Sequence, residues 1–197
     1  MTATLARPAP EKVAVRAREI RDAIETDREF ARLWETCAKY SADWTDFHGY
    51  PIIENYDALA DAPAMFRETI RTMALKSAVY DLTNGDERAA ELPVPVPVDV
   101  MSHALMAQFT LLCRIQSRGR FQFVHMTDLE EGDGGGTWDH GDYTHQVYRE
   151  AFGPINERFW IGAAETERRR RVLDQVYAGI GVTERGKKVA IPLGVAT

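Results

Sequence analysis

The stretch Asp61-Ala-Pro-Ala-Met-Phe-Arg-Glu-Thr-Ile-Arg-Thr-Met-Ala-Leu-Lys-Ser77 decides the fold class. Asp61 is a good capping residue, and Pro63 suits a first turn, where the missing N–H would have no intrahelical partner anyway. Behind them Phe66, Ile70, Met73, Ala74 and Ser77 recur at i, i+4, i+7, i+8 and i+11. That is the period of one helical face, and it is incompatible with the alternation of a strand. The pattern stops at Asn84-Gly85, a pair suited to the left-handed turn that ends a helix.

The same periodicity extends on both sides. Val13, Ala17, Ile20 and Ile24 define a helix over residues 11–24, and Asp27 caps a second carrying Phe30, Leu33, Trp34, Cys37 and Tyr40. That helix runs out before Gly49 and Tyr50-Pro51, because proline disfavours helical backbone in the residue ahead of it. Downstream, Pro93-Val-Pro95-Val-Pro97 predicts an extended linker over 93–97, since each proline removes a donor and fixes φ. Asp99 then opens the most apolar helix, through Leu105, Phe109 and Leu112 to about Ser117, a length right for the centre of a bundle. A short strand is expected over 120–126, an acidic glycine-rich loop over 128–136, a helix from Asp142 to Phe152, and a long one between Gly153-Pro154 and Gly179 or Gly181. The segment from Val189 to Val195 reads as an extended tail. The expectation is a mainly α, single-domain helical bundle of five to six helices over residues 11–197, behind a flexible leader over residues 1–10.

With 197 residues and 45% apolar composition, the chain can bury a proper core, and the formal charge of −6 argues against non-specific attraction to nucleic acid. No apolar run approaches the roughly 18 residues of a membrane span, and the first ten residues lack the pattern of a secretory signal. Cys37 and Cys113 fall in separate predicted helices, so two buried, reduced thiols are expected, which fits a reducing cytoplasm. Arginine and alanine outnumber lysine and isoleucine, as in proteins of GC-rich bacteria.

Of the five histidines, two lie in Trp138-Asp-His140-Gly-Asp-Tyr-Thr-His145. His140, His145, Asp142 and Asp139 place two imidazoles and two carboxylates in one short segment, the donor set of iron, manganese or zinc. Asp142 and His145, three apart, would project from one helix face, the spacing used in ferritin-like di-metal bundles. The chain holds no second Asp/Glu-x-x-His, so the full di-iron signature is absent. His140-Gly-Asp142 also spells the His-x-Asp of oxoglutarate-dependent oxygenases, but no histidine follows His145 and the fold reads as helical. The plain structural reading is that Asp142 caps a helix while Asp139 and the histidines sit in a hydrated loop.

His103, four residues after Asp99 on the apolar helix, is the second candidate, as a third ligand or an acid–base residue beside Asp142. An Asp–His pair at i, i+4 supplies either two ligands or a ligand with its orienting partner. A lone histidine on such a face is otherwise a hydrogen-bonded core residue. His125, near the expected strand, suits a haem ligand, since haem needs only one axial histidine and an apolar pocket. Trp44, His48 and Tyr50, together with Trp138 and Tyr143, have the aromatic and polar character of a small-molecule pocket, or of rings packing a helix end.

Arg168 to Arg171 resembles a nucleic-acid patch, but Glu165 and Glu167 precede Arg169 and Arg171 by four residues, the pairing of a solvated helix face. There is no phosphate-binding glycine motif and no nucleophile elbow. Three readings follow. The first is a helical metal- or haem-dependent oxidoreductase, using iron or another divalent transition metal on a small aromatic or amino-acid-like substrate, with a homo-oligomer open. The second is a non-catalytic helical partner protein. The third is a metal-independent enzyme using His and Asp as acid and base. Convergence of two or more of His48, His103, His140 and His145 around a cavity would separate the enzymes from the partner protein.

Overall fold

The computed structural model describes residues 7–39, 58–125 and 138–179. Within them the chain forms eight helices and no strand. They are α1 (Pro10–Glu25), α2 (Phe30–Lys39), α3 (Ala58–Leu82), α4 (Glu87–Ala90), α5 (Val96–Met106), α6 (Phe109–Gly119), α7 (Tyr143–Phe152) and α8 (Ala163–Gly179). The mainly helical class is as expected. Two of the eight were not anticipated: α4 is a single turn capped by Asp86, whose carboxylate accepts the Ala89 N–H at 3.0 Å, and the expected helix over 99–117 is two helices.

The centre of the bundle is α3 rather than the more apolar α5–α6 segment. Its buried residues include Met65, Phe66, Ile70, Met73, Leu75, Ala78 and Val79 but also Glu68, Thr69, Thr72, Lys76 and Ser77, so the helix is enclosed around most of its circumference. A helix enclosed in that way belongs inside the bundle whatever its mean hydropathy. Helices α1, α2, α4, α5 and α7 all pack against it. It begins at Ala58, ahead of the expected Asp61, and accommodates Pro63 near its start, where one lost backbone bond costs little. It ends as expected: Asn84 and Gly85 take φ of 56° and 92°, and the Gly85 N–H returns to the Tyr80 carbonyl at 2.9 Å.

Helix α1 opens on a proline and lays Val13, Ala14, Ala17, Ile20 and Ile24 against α3 and α7. The α2 end is tied to α6 by ion pairs from Asp27 to Arg118 and from Glu29 to Arg114 and Arg118. Of the three alternating prolines, Pro93 and Pro95 lie in the non-helical run before α5. Pro97 lies in the first turn of α5, where its fixed φ is compatible with a helix. At Ala107-Gln108 the chain turns, and the α5 and α6 axes differ by 91°. The bend has a packing reason. Helix α5 is buried on nearly every side, whereas α6 buries only Leu111, Leu112 and Ile115, so a straight helix would carry that stripe away from the core.

The strand expected over 120–126 does not form among the described residues. Residues 121–125 have no neighbouring strand to bond with, and the Phe123 N–H goes instead to the Gln116 side-chain oxygen at 2.6 Å. The last helix starts at Ala163 rather than just after Pro154. The Asn156 carbonyl accepts both the Phe159 and Trp160 N–H groups, which tucks those two side chains into the core before the helix begins. On α8, Glu165 pairs with Arg168 and Arg169, as a solvated face does. Both cysteines are free thiols; Cys37 is buried, its ionisation pushed up to about 12 by desolvation, while Cys113 is only partly buried. No described helix is long and apolar enough to cross a membrane, and α5 with α6 reaches that length only across the bend. The acidic loop over 128–136 and the tail from Val189 to Val195 lie outside the described residues.

Candidate metal centre

The bend after α5 creates the one group of three potential metal ligands among the described residues. Asp99 and His103 lie one turn apart on α5, so they share a face, and Asp99 Oδ2 is 3.7 Å from His103 Nε2. The third member, His125, comes from the other side of the bend. Arg120 ends α6 in the left-handed conformation at φ 54°, turning the chain back. Phe121 and Phe123, both buried and meeting edge to face at 5.1 Å, then fix the returning segment. The Phe121 ring folds over Gly119, where a Cβ would collide with it. His125 arrives with its ring edge to face with that of His103, centroids 5.1 Å apart.

One donor atom from each of Asp99, His103 and His125 lies within 4.8 Å of the other two. Bonds of about 2.0–2.2 Å to a common ion require neighbouring donors about 3–3.5 Å apart. The Asp99–His103 pair, at 3.7 Å, is nearly there, and His125 supplies a third donor within 4.8 Å of each. Both ring nitrogens of His125 are buried and have no hydrogen-bond partner among the described residues. Leaving a buried polar atom unsatisfied costs about 1–3 kcal/mol, so two on one ring call for an explanation. Burial, and secondarily the Lys76 ammonium, lowers the His125 pKa, with Asp99 and Glu91 opposing. The imidazole is therefore neutral near pH 7 and offers a lone pair, the state in which histidine binds metals.

Elsewhere in the core, Lys76 on α3 and Glu91 after α4 form a buried ion pair. Lys76 is 1% exposed and Glu91 7%. Sequence reasoning missed this pair, although a lysine inside the apolar run Met73-Ala-Leu-Lys-Ser-Ala78 is a signal that a buried charge needs a partner. It also missed Glu68 as a structural hub. Glu68 Oε2 accepts the Tyr148 hydroxyl at 2.5 Å and the Trp160 indole N–H at 2.7 Å, and Arg71 reaches Oε1 at 3.0 Å. With both oxygens engaged, Glu68 ties α3 to α7 and to the 155–162 segment.

The other candidate residues occupy different surroundings. Asp142 caps α7, its Oδ1 accepting the His145 N–H at 2.8 Å. His145 Nδ1 accepts the Gly141 N–H at 2.9 Å, so the neutral ring carries its proton on Nε2. Asp139 Oδ1 accepts the His140 N–H at 2.8 Å, and the exposed His140 ring lies 3.8 Å from the Glu157 carboxylate. His140 and His145 stack edge to face at 5.5 Å, but with Asp139 and Asp142 they form no group of three convergent ligands. Trp138 is fully buried against Trp160, His140 and His145. The Tyr143 hydroxyl, pushed up to about 12 by burial, donates to the Pro8 carbonyl at 2.7 Å. Trp44, His48 and Tyr50 lie outside the described residues.

Two of the histidines singled out in the sequence, His103 and His125, thus meet, and Asp99 joins them. Their convergence across the bend was not legible, because helical periodicity says nothing about where a chain returns after a helix breaks. No family model, no curated protein and no solved structure matches the chain.

Proposed function

We propose that this protein is a metal-dependent enzyme of the oxidoreductase class, holding iron(II) or another divalent first-row transition metal through Asp99, His103 and His125. The observation that carries the reading is the convergence of a carboxylate and two imidazoles, one of them with both nitrogens buried and unpartnered. Two histidines and one carboxylate leave coordination positions open for a small substrate and oxygen, which is how non-haem iron(II) oxygenases are organised. The donor chemistry fits a bare ion better than haem. Three donors within 4.8 Å of one another, with the two histidine rings edge to face, leave no slot between them for a porphyrin. For the substrate we carry over the expectation of a small aromatic or amino-acid-like molecule.

The Asp99–His103 pair would also serve an acid–base enzyme that needs no metal, and one experiment separates the two. Protein purified without chelators is analysed for iron, manganese and zinc and titrated with Fe(II) under anaerobic conditions. The same is done for an Asp99→Ala/His103→Ala variant and for Asp142→Ala. Near-stoichiometric metal in the native and Asp142→Ala proteins, lost in the double variant, is the expected result. Failure of the native protein to take up any divalent ion would leave the acid–base reading in its place.

A further inference from the structure

Trp138, Trp160 and Tyr148 form a continuous run of oxidisable rings through the core. Trp138 meets Trp160 at 5.2 Å between ring centroids, Trp160 meets Tyr148 at 4.6 Å, and all three side chains are fully buried. At one end the exposed His140 ring packs on Trp138 at 4.9 Å, so the run stops one ring short of solvent. At the other end the Tyr148 hydroxyl donates to Glu68 Oε2 at 2.5 Å, the length of a bond from O–H to an ionised oxygen. The Trp160 indole N–H donates to the same Oε2 at 2.7 Å. The Arg71 guanidinium donates to Glu68 Oε1 and to the Tyr148 oxygen, both at 3.0 Å. Both Glu68 oxygens accept hydrogen bonds, so the group is a carboxylate and can take up a proton.

Packing alone does not call for these side chains, because phenylalanine or leucine fills a core with no N–H or O–H to satisfy and no charge to bury. What tryptophan and tyrosine add is the ability to give up one electron. Tyrosine does so together with its proton, since the oxidised phenol is a very strong acid, and it needs a base within hydrogen-bond reach. The Tyr148 phenol does not ionise by itself at neutral pH: burial first, and then the Glu68 charge, raise its pKa. Glu68 is the base, already seated on the phenol. The buried Trp138 indole N–H, by contrast, has no partner among the described residues. An oxidised Trp138 therefore keeps its proton and stays the strongest oxidant of the three, which directs electrons toward it.

We infer that Tyr148, Trp160 and Trp138 are a one-electron relay, with Glu68 as the proton acceptor of Tyr148, serving a one-electron oxidant that arrives at the His140 face. The oxidant, by class an outer-sphere electron acceptor such as an oxidised metal chelate, takes an electron from Trp138. Trp160 refills Trp138 while its indole proton shifts to Glu68 Oε2. Tyr148 then refills Trp160, whose proton returns from Glu68 as the phenol proton takes its place. The net change is one electron delivered to the oxidant, a neutral Tyr148 radical and a protonated Glu68. The relay uses none of Asp99, His103 and His125 and does not rest on the metal reading.

The test is a laser flash on the full-length protein with ruthenium(II) tris-bipyridine and persulfate, which generates ruthenium(III) as the oxidant. Transient absorption follows the radicals, and freeze-quenched electron paramagnetic resonance identifies them. In the native protein a tryptophan radical should give way to a long-lived neutral tyrosyl radical. Tyr148→Phe should lose that long-lived signal and let the tryptophan radical accumulate. Trp138→Phe should lower the yield of the Tyr148 radical. Glu68→Gln keeps an oxygen acceptor but cannot take the proton, and it should slow the conversion on the order of a hundredfold. If Glu68→Gln fails to fold, the native protein still decides the matter. With the base built in, conversion should slow in heavy water and be indifferent to buffer concentration. A conversion rate that rises with buffer concentration overturns the inference, because the proton then leaves to solvent. A long-lived tyrosyl signal undiminished in Tyr148→Phe, or unchanged kinetics in Trp138→Phe, overturns it as well.

Discussion

The rings of His103 and His125 meet edge to face at 5.1 Å, one carried by α5 and the other delivered by the segment that follows α6. They are neighbours only because the chain turns at Ala107-Gln108 and turns again at Arg120. Both turns trace to packing: the first keeps Leu111, Leu112 and Ile115 on the core, and the second drops Phe121 and Phe123 into it. The ligand set is thus a consequence of how the core closes around α3.

Function and stability should oppose each other at His125. In the metal-free protein its two buried nitrogens have no partner among the described residues, so the ring is held at a cost. Replacing it with leucine, of similar size and without polar atoms, should raise the stability of the metal-free protein by about 1 kcal/mol. The same change should abolish tight binding of Fe(II) or Co(II). Urea unfolding of the metal-free native and His125→Leu proteins reads the first effect, and metal titration the second. A leucine variant less stable than native would mean that the imidazole nitrogens are hydrogen-bonded in solution.

Much of the architecture was legible and most of the site was not. The face Phe66–Ile70–Met73–Ala74–Ser77 gave α3, and Asn84-Gly85 gave its end, because both signals are local. Asp99 and His103 were legible as a pair for the same reason, since i and i+4 meet on any helix. Their meeting with His125 depends on a bend that no residue pattern marks, as neither glycine nor proline stands at Ala107-Gln108. The segment from Asp139 to His145 misleads in the opposite way. Its residue types suit a metal, but in the structure the Asp142 carboxylate accepts the backbone N–H of His145 in α7 and that of Asp139 before it, and His145 Nδ1 is occupied by Gly141.

The surroundings of His145 make a prediction about pH. His145 has its pKa lowered, first by burial and then by His140 and Arg149, against the opposing pull of Asp142 and Glu157. A histidine whose folded pKa lies below its unfolded value contributes no pH dependence while both states are neutral. As pH falls through the unfolded value of about 6.5, the unfolded chain takes up the proton first and stability declines, until the folded pKa is passed. NMR titration of the ring should place His145 below 6.5, with the proton of the neutral form on Nε2. Protonation should release the Gly141 N–H, visible as faster amide exchange at acid pH. A His145 pKa at or above 6.5 would show that burial and the neighbouring His140 and Arg149 do not bear on the ring as they do in the structure.

The hub at Glu68 should matter for stability and leave metal affinity alone. Its carboxylate, 4% exposed, receives the Tyr148 hydroxyl, the Trp160 indole and the Arg71 guanidinium. Glu68→Ala strips the Tyr148 hydroxyl and the Trp160 indole of their acceptor and leaves Arg71 only the Tyr148 oxygen, and it should cost about 3–5 kcal/mol, the range for breaking a buried charged network by removing one member. Tyr148→Phe removes one donor to Glu68 and one of the two acceptors of Arg71, and it leaves Trp160 and Arg71 paired with Glu68, so it should cost only about 1 kcal/mol. Denaturant unfolding of the two variants measures the difference. Near-equal losses would mean that the hydroxyl, rather than the carboxylate, organises the network.

Gly119 offers a way to move His125 without touching a ligand. The Phe121 ring lies where a Cβ on Gly119 would be, so Gly119→Ala must displace either the ring or the end of α6. Alanine is otherwise well suited to a helix, and on propensity alone the change should stabilise by up to about 1 kcal/mol. Overpacking of this kind costs about 1–3 kcal/mol, and the net effect should be a loss of stability. Because Phe121 and Phe123 fix the segment that ends in His125, the displaced ring should also misplace the imidazole. Metal affinity should then fall by at least tenfold in a protein whose three ligands are intact. A Gly119→Ala/Phe121→Leu variant, which relieves the collision with a smaller side chain, should recover part of the affinity. Recovery ties the loss to His125 placement, whereas an equal loss in both variants would show that the aromatic ring itself is needed to position the segment.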